Sequence, residues 1–211
     1  MSAWHLTMYS GFSTLLAQTG VVALGMLGTA AAVGAYAFTV RVTEMVAMFL
    51  VAVNAPLMPM LARFHAKADM TNLQATITRA SMWALGLSLP VALLLVFGAR
   101  PVLDYFGPGF PEAVPAMRIL ALSQLLNVAF GPVGTLLNVT GHERPASRRM
   151  AFAALLNLIL APPLIVIAGA TGAAISTLVA TLTWNIQLSL LGRRKLGVNV
   201  GLMALVRHKR T

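Results

Sequence analysis

Formal charges divide the chain into long apolar blocks. No Asp, Glu, Lys or Arg occurs in residues 1–40, and further charge-free intervals cover 80–99, 119–142 and 150–192. A membrane-spanning helix needs about 20 apolar residues, so these intervals predict spans near 6–27, 33–61, 76–97, 114–137, 150–167 and 173–191. The last interval is 43 residues long, enough for two spans and a tight turn, best placed at the AGATG of Ala168 to Gly172. The expected fold class is an all-α membrane protein of about six transmembrane helices.

Local signals refine the boundaries. Gly25 and Gly28 space the end of the first span and allow a turn there. Thr71, with Gln74 three residues on, reads as a capping box for the third span. Pro111 and Glu112 suit the first turn of the fourth, where a proline loses no needed donor and a carboxylate favours the dipole. The Gly-Pro-Gly at 107–109 marks a turn ahead of it, and Gly141 reads as its C-cap. In the second span Pro56 and Pro59 follow Asn54, and each proline removes a backbone donor, which predicts a kink or local unwinding. Pro90 lies within the third span and Pro162-Pro163 within the fifth. The fourth carries Gly131 and Pro132, candidate sites for a kink or gate. Small residues Gly172, Ala173, Ala174, Ser176 and Ala180 let the sixth span pack closely on a neighbour.

Composition agrees with this pattern. Of 211 residues 58% are hydrophobic and 9% charged, against about 25% charged in soluble domains. Cysteine is absent, which excludes disulfides and thiolate metal sites. The four histidines and five acids are dispersed, so neither a metal-ligand cluster nor an acid/base pair can be nominated. No G-x-x-x-x-G-K-[ST] loop is present, so ATP hydrolysis is not expected of this chain. The sequence calls for no catalytic residue, metal or cofactor. The sequon at Asn138-Val139-Thr140 falls at a helix end and is read as accidental.

The formal net charge of +10 would suggest nucleic acid in another setting. Here the basic residues lie between apolar blocks, as the Lys/Arg bias of cytoplasmic loops requires. Twelve of the 15 Lys and Arg fall on the side of the loops after spans two and four and of the tail. Arg100 and Arg118 fall on the other side and Arg41 within a span, so both termini are expected in the cytoplasm. The absence of a charged stretch at the N-terminus argues for a span there and against a cleaved signal. The tail, 193–211, reads as a basic segment lying on the membrane surface.

Polar residues inside the spans are the functional candidates. Arg41 and Glu44 share a helical face at i,i+3; charges at membrane depth are functional by default, although a structural pair near the outer interface fits equally. Asn54, Gln124 and Asn127 need other helices or a wet cavity, because unpaired polar groups cost several kcal/mol in hydrocarbon. Arg118, one to two turns into the fourth span, either meets an anionic substrate or anchors the helix at the headgroups.

Several stretches resemble one family: FGPGF at Phe106 to Phe110, AMRILALSQLLN at Ala116 to Asn127, GPVGTLLNVTGHE at Gly131 to Glu143 and, more weakly, GAYAFTVRVTEMV at Gly34 to Val46. Their order and spacing are similar to the C-terminal half of the polysaccharide-biosynthesis flippases, a branch of the multidrug/oligosaccharidyl-lipid/polysaccharide exporter superfamily. The resemblance implies a two-lobe transporter of which this chain is one six-helix lobe, in the bacterial inner membrane. It implies alternating access and a lipid-linked oligosaccharide, carried on undecaprenyl, as substrate. Arg41 or Arg118 would meet its anionic headgroup, and Asn and Gln on cavity faces its sugars. Where many relatives carry a charged pair in the first helix, Gln18, Thr19 and Gly20 stand here. The expected partners are the bilayer, the lipid-linked glycan and either an N-terminal lobe or a second copy; nucleic acid is not expected. The alternatives are half of a multidrug and toxic-compound antiporter, or an inactive fragment.

Overall fold

A computed structural model describes residues 3–106 and 110–201, and the Gly-Pro-Gly turn and the end of the tail lie outside them. Helices α1 (Ala3–Leu27), α2 (Ala30–Ala66) and α3 (Met70–Phe97) come first, followed by short α4 (Ala99–Phe106) and a single 3-10 turn at Phe110–Ala113. Then come α5 (Val114–Phe130), α6 (Val133–Val139) and the long α7 (Glu143–Leu196). Among the described residues α2, α3 and α7 are individually long and apolar enough to cross a membrane, and α5 with α6 makes a fourth candidate bent by 43°. Helix α7 is itself folded: Ala168 (φ −135°, ψ 16°) and Gly169 (φ 54°, ψ −133°) leave the helical region and divide it into two legs. A positive φ is costly for any residue with a Cβ, so the break falls on the first glycine of AGATG.

The legs of α7 run antiparallel. Ala146 clusters with Leu188 and Leu191, and Met150 with Ala180 and Trp184. Helix α1 lies mainly against α7, α2 against α3, and α5 among α2, α3 and α7. The small face Gly172, Ala173, Ala174, Ser176 and Ala180 is buried. Gly172 lets the two legs approach: a Cβ there would land on the backbone of Leu164. The opposite faces present bare apolar side chains, among them Met48, Trp83, Leu94 and Ile167. A lipid-facing surface has this character, since hydrocarbon makes no demand for polar groups.

Inside the bundle, single polar ties join the helices. Ser88 donates its hydroxyl to the Val46 carbonyl at 2.7 Å, and the Asn157 amide donates to the Leu16 carbonyl at 3.0 Å. Buried Thr39, Thr43 and Ser81 donate back to carbonyls of their own helices. Such bonds in membrane proteins average about 0.6 kcal/mol, so they set register more than they hold the bundle together.

Three expectations need correction. Asp69 caps α3, its Oδ1 accepting from the Asn72 N–H at 3.1 Å, because the helix starts one residue ahead of Thr71. Pro115, not Pro111, occupies the first turn of α5; Pro111 belongs to the preceding 3-10 turn. Helix α2 does not unwind locally: it stays helical through Asn54, Pro56 and Pro59. Both prolines are exposed on the outer face of a helix longer than a bilayer needs, where neighbouring turns accommodate the lost bonds. Of the basic tail only residues 193–201 are described, and Arg193, Arg194 and Lys195 are exposed. Arg193 to Lys195 form the last turn of α7, Gly197 caps it in the left-handed conformation, and Val198 and Val200 insert into the core beside Leu73, Ile77 and Val133. Gln74 grips this segment, its Nε2 donating to the Asn199 carbonyl at 2.6 Å and its Oε1 accepting from the Asn199 N–H at 2.8 Å.

Candidate functional site

A cavity of ≈ 180 Å³ opens between α1, α2, α5 and both legs of α7. Its lining includes Ser13 from α1, Tyr36, Thr43 and Glu44 from α2, Gln124 and Asn127 from α5, and Thr177, Thr181 and Trp184 from the second leg of α7. Three of the six substrate-path candidates read from the sequence, Glu44, Gln124 and Asn127, therefore share one chamber. Arg41 stands at its margin, donating from Nη1 to Glu44 Oε2 at 3.1 Å; its side chain is 69% exposed and that of Glu44 37%. The pair follows from its i,i+3 spacing on a continuous helix. The carboxylate faces the chamber while the guanidinium reaches out of the lobe.

The amides are held by packing. Asn185 is buried on α7, donates to the Thr181 carbonyl at 3.0 Å and also donates to Asn127 Oδ1 at 3.1 Å. With its oxygen engaged, Asn127 keeps its own NH₂ donors for whatever enters. Tyr36 is 1% exposed. Its ring lies so close to α1 that a Cβ on Gly20 would sit 2.6 Å from the phenol oxygen, and its hydroxyl meets Thr177. Gly20 thus has a steric role: it lets the Tyr36 ring wall one side of the chamber.

The remaining candidates are elsewhere. Arg118 is exposed and donates from Nε to the Val96 carbonyl at 3.0 Å, so it ties α5 to the end of α3, outside the chamber. Asn54 is half-buried with Oδ1 sealed and without a partner, also outside it. Gly131 (φ 71°, ψ −166°) and Pro132 form the break between α5 and α6. No group of three or more His, Cys, Asp or Glu converges among the described residues in a way that could hold a metal. Sequence reasoning missed Tyr36, Thr177, Thr181 and Trp184, whose polar ends sit on helices that otherwise read as apolar.

A chamber of this size holds about six waters at bulk volume and is below the roughly 300–1,000 Å³ of sites that enclose a drug-sized ligand. It suits one part of a larger molecule. One carboxylate, two amides, several hydroxyls and an indole offer hydrogen bonds to a polyhydroxylated group and an apolar face for a ring.

The MatE family model matches residues 8–162. The chain belongs to the MatE family. Among similar curated proteins, a probable low-salt glycan biosynthesis flippase of Haloferax volcanii is 28% identical over 184 residues, covering 83% of this chain and 39% of its own length. An uncharacterized membrane protein of Methanocaldococcus jannaschii is 26% identical over 150 residues, with 71% and 35% coverage. Two solved structures share the fold: a MATE in the bent conformation (TM-score 0.71, 21% identity, 94% of this chain and 46% of that one) and a MOP superfamily transporter from Pyrococcus furiosus (0.69, 21%, 94% and 45%). This chain therefore spans less than half the length of each of these proteins.

Proposed function

We propose that this chain is the C-terminal lobe of a flippase that moves a lipid-linked oligosaccharide, of the undecaprenyl-linked class, across a bacterial inner membrane by alternating access. The observation that carries the reading is the chamber. Amide and hydroxyl groups and the Trp184 indole surround a space too small for a whole substrate, as one wall of a cavity between two lobes would. The likeness to a probable glycan biosynthesis flippase over 83% of the chain adds weight. Arg41, exposed at the margin of the chamber and paired with Glu44, would meet an anionic headgroup entering between the lobes. Arg118 serves as an anchor. Alternating access requires one lobe to move against another, so the working unit contains an N-terminal lobe or a second copy, with the ends of this lobe in the cytoplasm.

The test is reconstitution in liposomes with a fluorescent undecaprenyl-diphosphate glycan, with and without a relative's N-terminal lobe. Flipping should need the second lobe and fall at least tenfold in Asn127→Leu and Trp184→Ala. Flipping by the monomeric chain alone overturns the half-transporter reading; drug efflux without glycan flipping replaces it with a multidrug antiporter half.

A further inference from the structure

The lower ends of the two α7 legs bring basic side chains together where no use for them has been given. Arg149 is on the first leg, and Arg193, Arg194 and Lys195 form the last turn of the second. The antiparallel legs, whose Ala146, Leu188 and Leu191 share one core cluster, put them at one end of the bundle. Helical side chains lean toward their own N-terminus, which carries the long Arg149 side chain down toward that same end. There Nη1 of Arg149 is sealed from solvent with no hydrogen-bond partner. The Arg149 side chain is partly buried, and the like-charged Arg194 lies nearby.

The carboxylate at this end does not resolve the conflict. Glu143, at the start of α7, also has a sealed oxygen without a partner; a bond between it and Arg149 Nη1 would have satisfied both. A half-buried guanidinium beside a like charge is unfavourable on two counts, desolvation and repulsion. An anion between the cations would replace repulsion by attraction and give the sealed N–H a partner, offsetting the desolvation. A guanidinium fork matches phosphate oxygens in particular, and basic pockets between helices at the membrane edge suit lipid headgroups.

We propose that Arg149 and Arg194, with Arg193 and Lys195 around them, bind the phosphate of an anionic phospholipid at the membrane interface. The site is distinct from the chamber, whose lining stops at Met150 and Trp184. Its ligand ties the two legs of α7 at the end remote from their connecting turn.

The test uses the purified protein in nanodiscs of phosphatidylcholine, with or without phosphatidylglycerol, and reads bound lipid by native mass spectrometry alongside thermal stability. Retention of phosphatidylglycerol should fall roughly fivefold in each of Arg149→Gln and Arg194→Gln, from about 1 kcal/mol per basic residue near an anionic surface. Arg149→Lys, which keeps the charge, should recover part of it and guards against misfolding. Arg63→Gln, an exposed cation on α2, should change retention less than twofold. Equal loss in Arg63→Gln would reduce the effect to diffuse surface charge and overturn the site. Unchanged retention in the Arg149→Gln/Arg194→Gln pair overturns it as well. Stabilisation by inorganic phosphate but not by phosphatidylglycerol overturns the lipid assignment.

Discussion

Replacing Gly131 by alanine tests the broken span directly. Its φ of 71° and ψ of −166° lie in a region nearly closed to side chains, and holding alanine there costs about 1–3 kcal/mol. The new Cβ would also collide with Ser81 Oγ, lie 3.1 Å from Ser81 Cβ and 3.4 Å from Val200 Cγ1. Ser81 cannot easily yield, since it is buried and its hydroxyl is engaged by the Ile77 carbonyl at 2.9 Å. Overpacking of this kind adds about 1–3 kcal/mol, for a total of roughly 2–6 kcal/mol. Gly141 supplies the control: it too has a positive φ, 78°, but a Cβ there meets nothing within 4 Å, so alanine should cost only about 1–2 kcal/mol. Equilibrium unfolding in mixed micelles should therefore rank Gly131→Ala well below Gly141→Ala. Adding Ser81→Ala to Gly131→Ala should recover part of the steric share and none of the backbone share. Equal losses at the two glycines would refute the claim that the α5–α6 break is braced by α3 and the segment after α7.

Gln74→Ala should leave the N–H and C=O of Asn199 unmatched, costing about 1–3 kcal/mol; hydrogen exchange should rise at 197–201 before it rises in α3, and unchanged exchange would show that Val198 and Val200 alone hold the segment. Asn157→Leu removes the tie to the Leu16 carbonyl from a fully buried site and should loosen α1 by about 0.6–1.7 kcal/mol, read as increased proteolysis of α1. Asp69 is held below the usual carboxylate range first by the Asn72 side-chain amide and then by the Asn72 N–H. Its folded pKa being the lower, its contribution is present above the unfolded value near 3.8 and is lost as pH falls through the folded one. The stability gap between wild type and Asp69→Asn should be flat above that value and shrink in acid, and a gap that opens only above neutral pH would contradict the cap. Single cysteines at Ala66 and Tyr105, both exposed, should label from opposite faces of the membrane; labelling of Ala66 from outside would reverse the orientation proposed from the charge count.

The charge-free intervals alone determined the membrane character and the all-helical class, because hydrocarbon admits few charges and forces backbone groups to bond within helices. AGATG marked the fold in α7 for an equally local reason, a residue without Cβ where φ turns positive. The chamber was legible only in part. Glu44, Gln124 and Asn127 stand out as polar residues in apolar runs, and polarity is a property of the residue itself. Whether they meet depends on how α2 and α5 rotate against α7, a long-range packing outcome that neither period nor spacing carries. Arg118 shows the limit: its chemistry suited an anion, but the end of α3 came within reach and took it. Tyr36 shows the converse, a residue given its place by a glycine on a different helix. The prolines of α2 allowed a local unwinding that did not form, since exposure on the outer face let the helix run on, whereas Gly131 and Pro132 broke theirs with Ser81 and Val200 packed into the gap. The segment directly after α7 shows the same dependence on tertiary contacts. Gln74, 125 residues earlier, supplies the two hydrogen bonds to Asn199 that accompany the burial of Val198 and Val200.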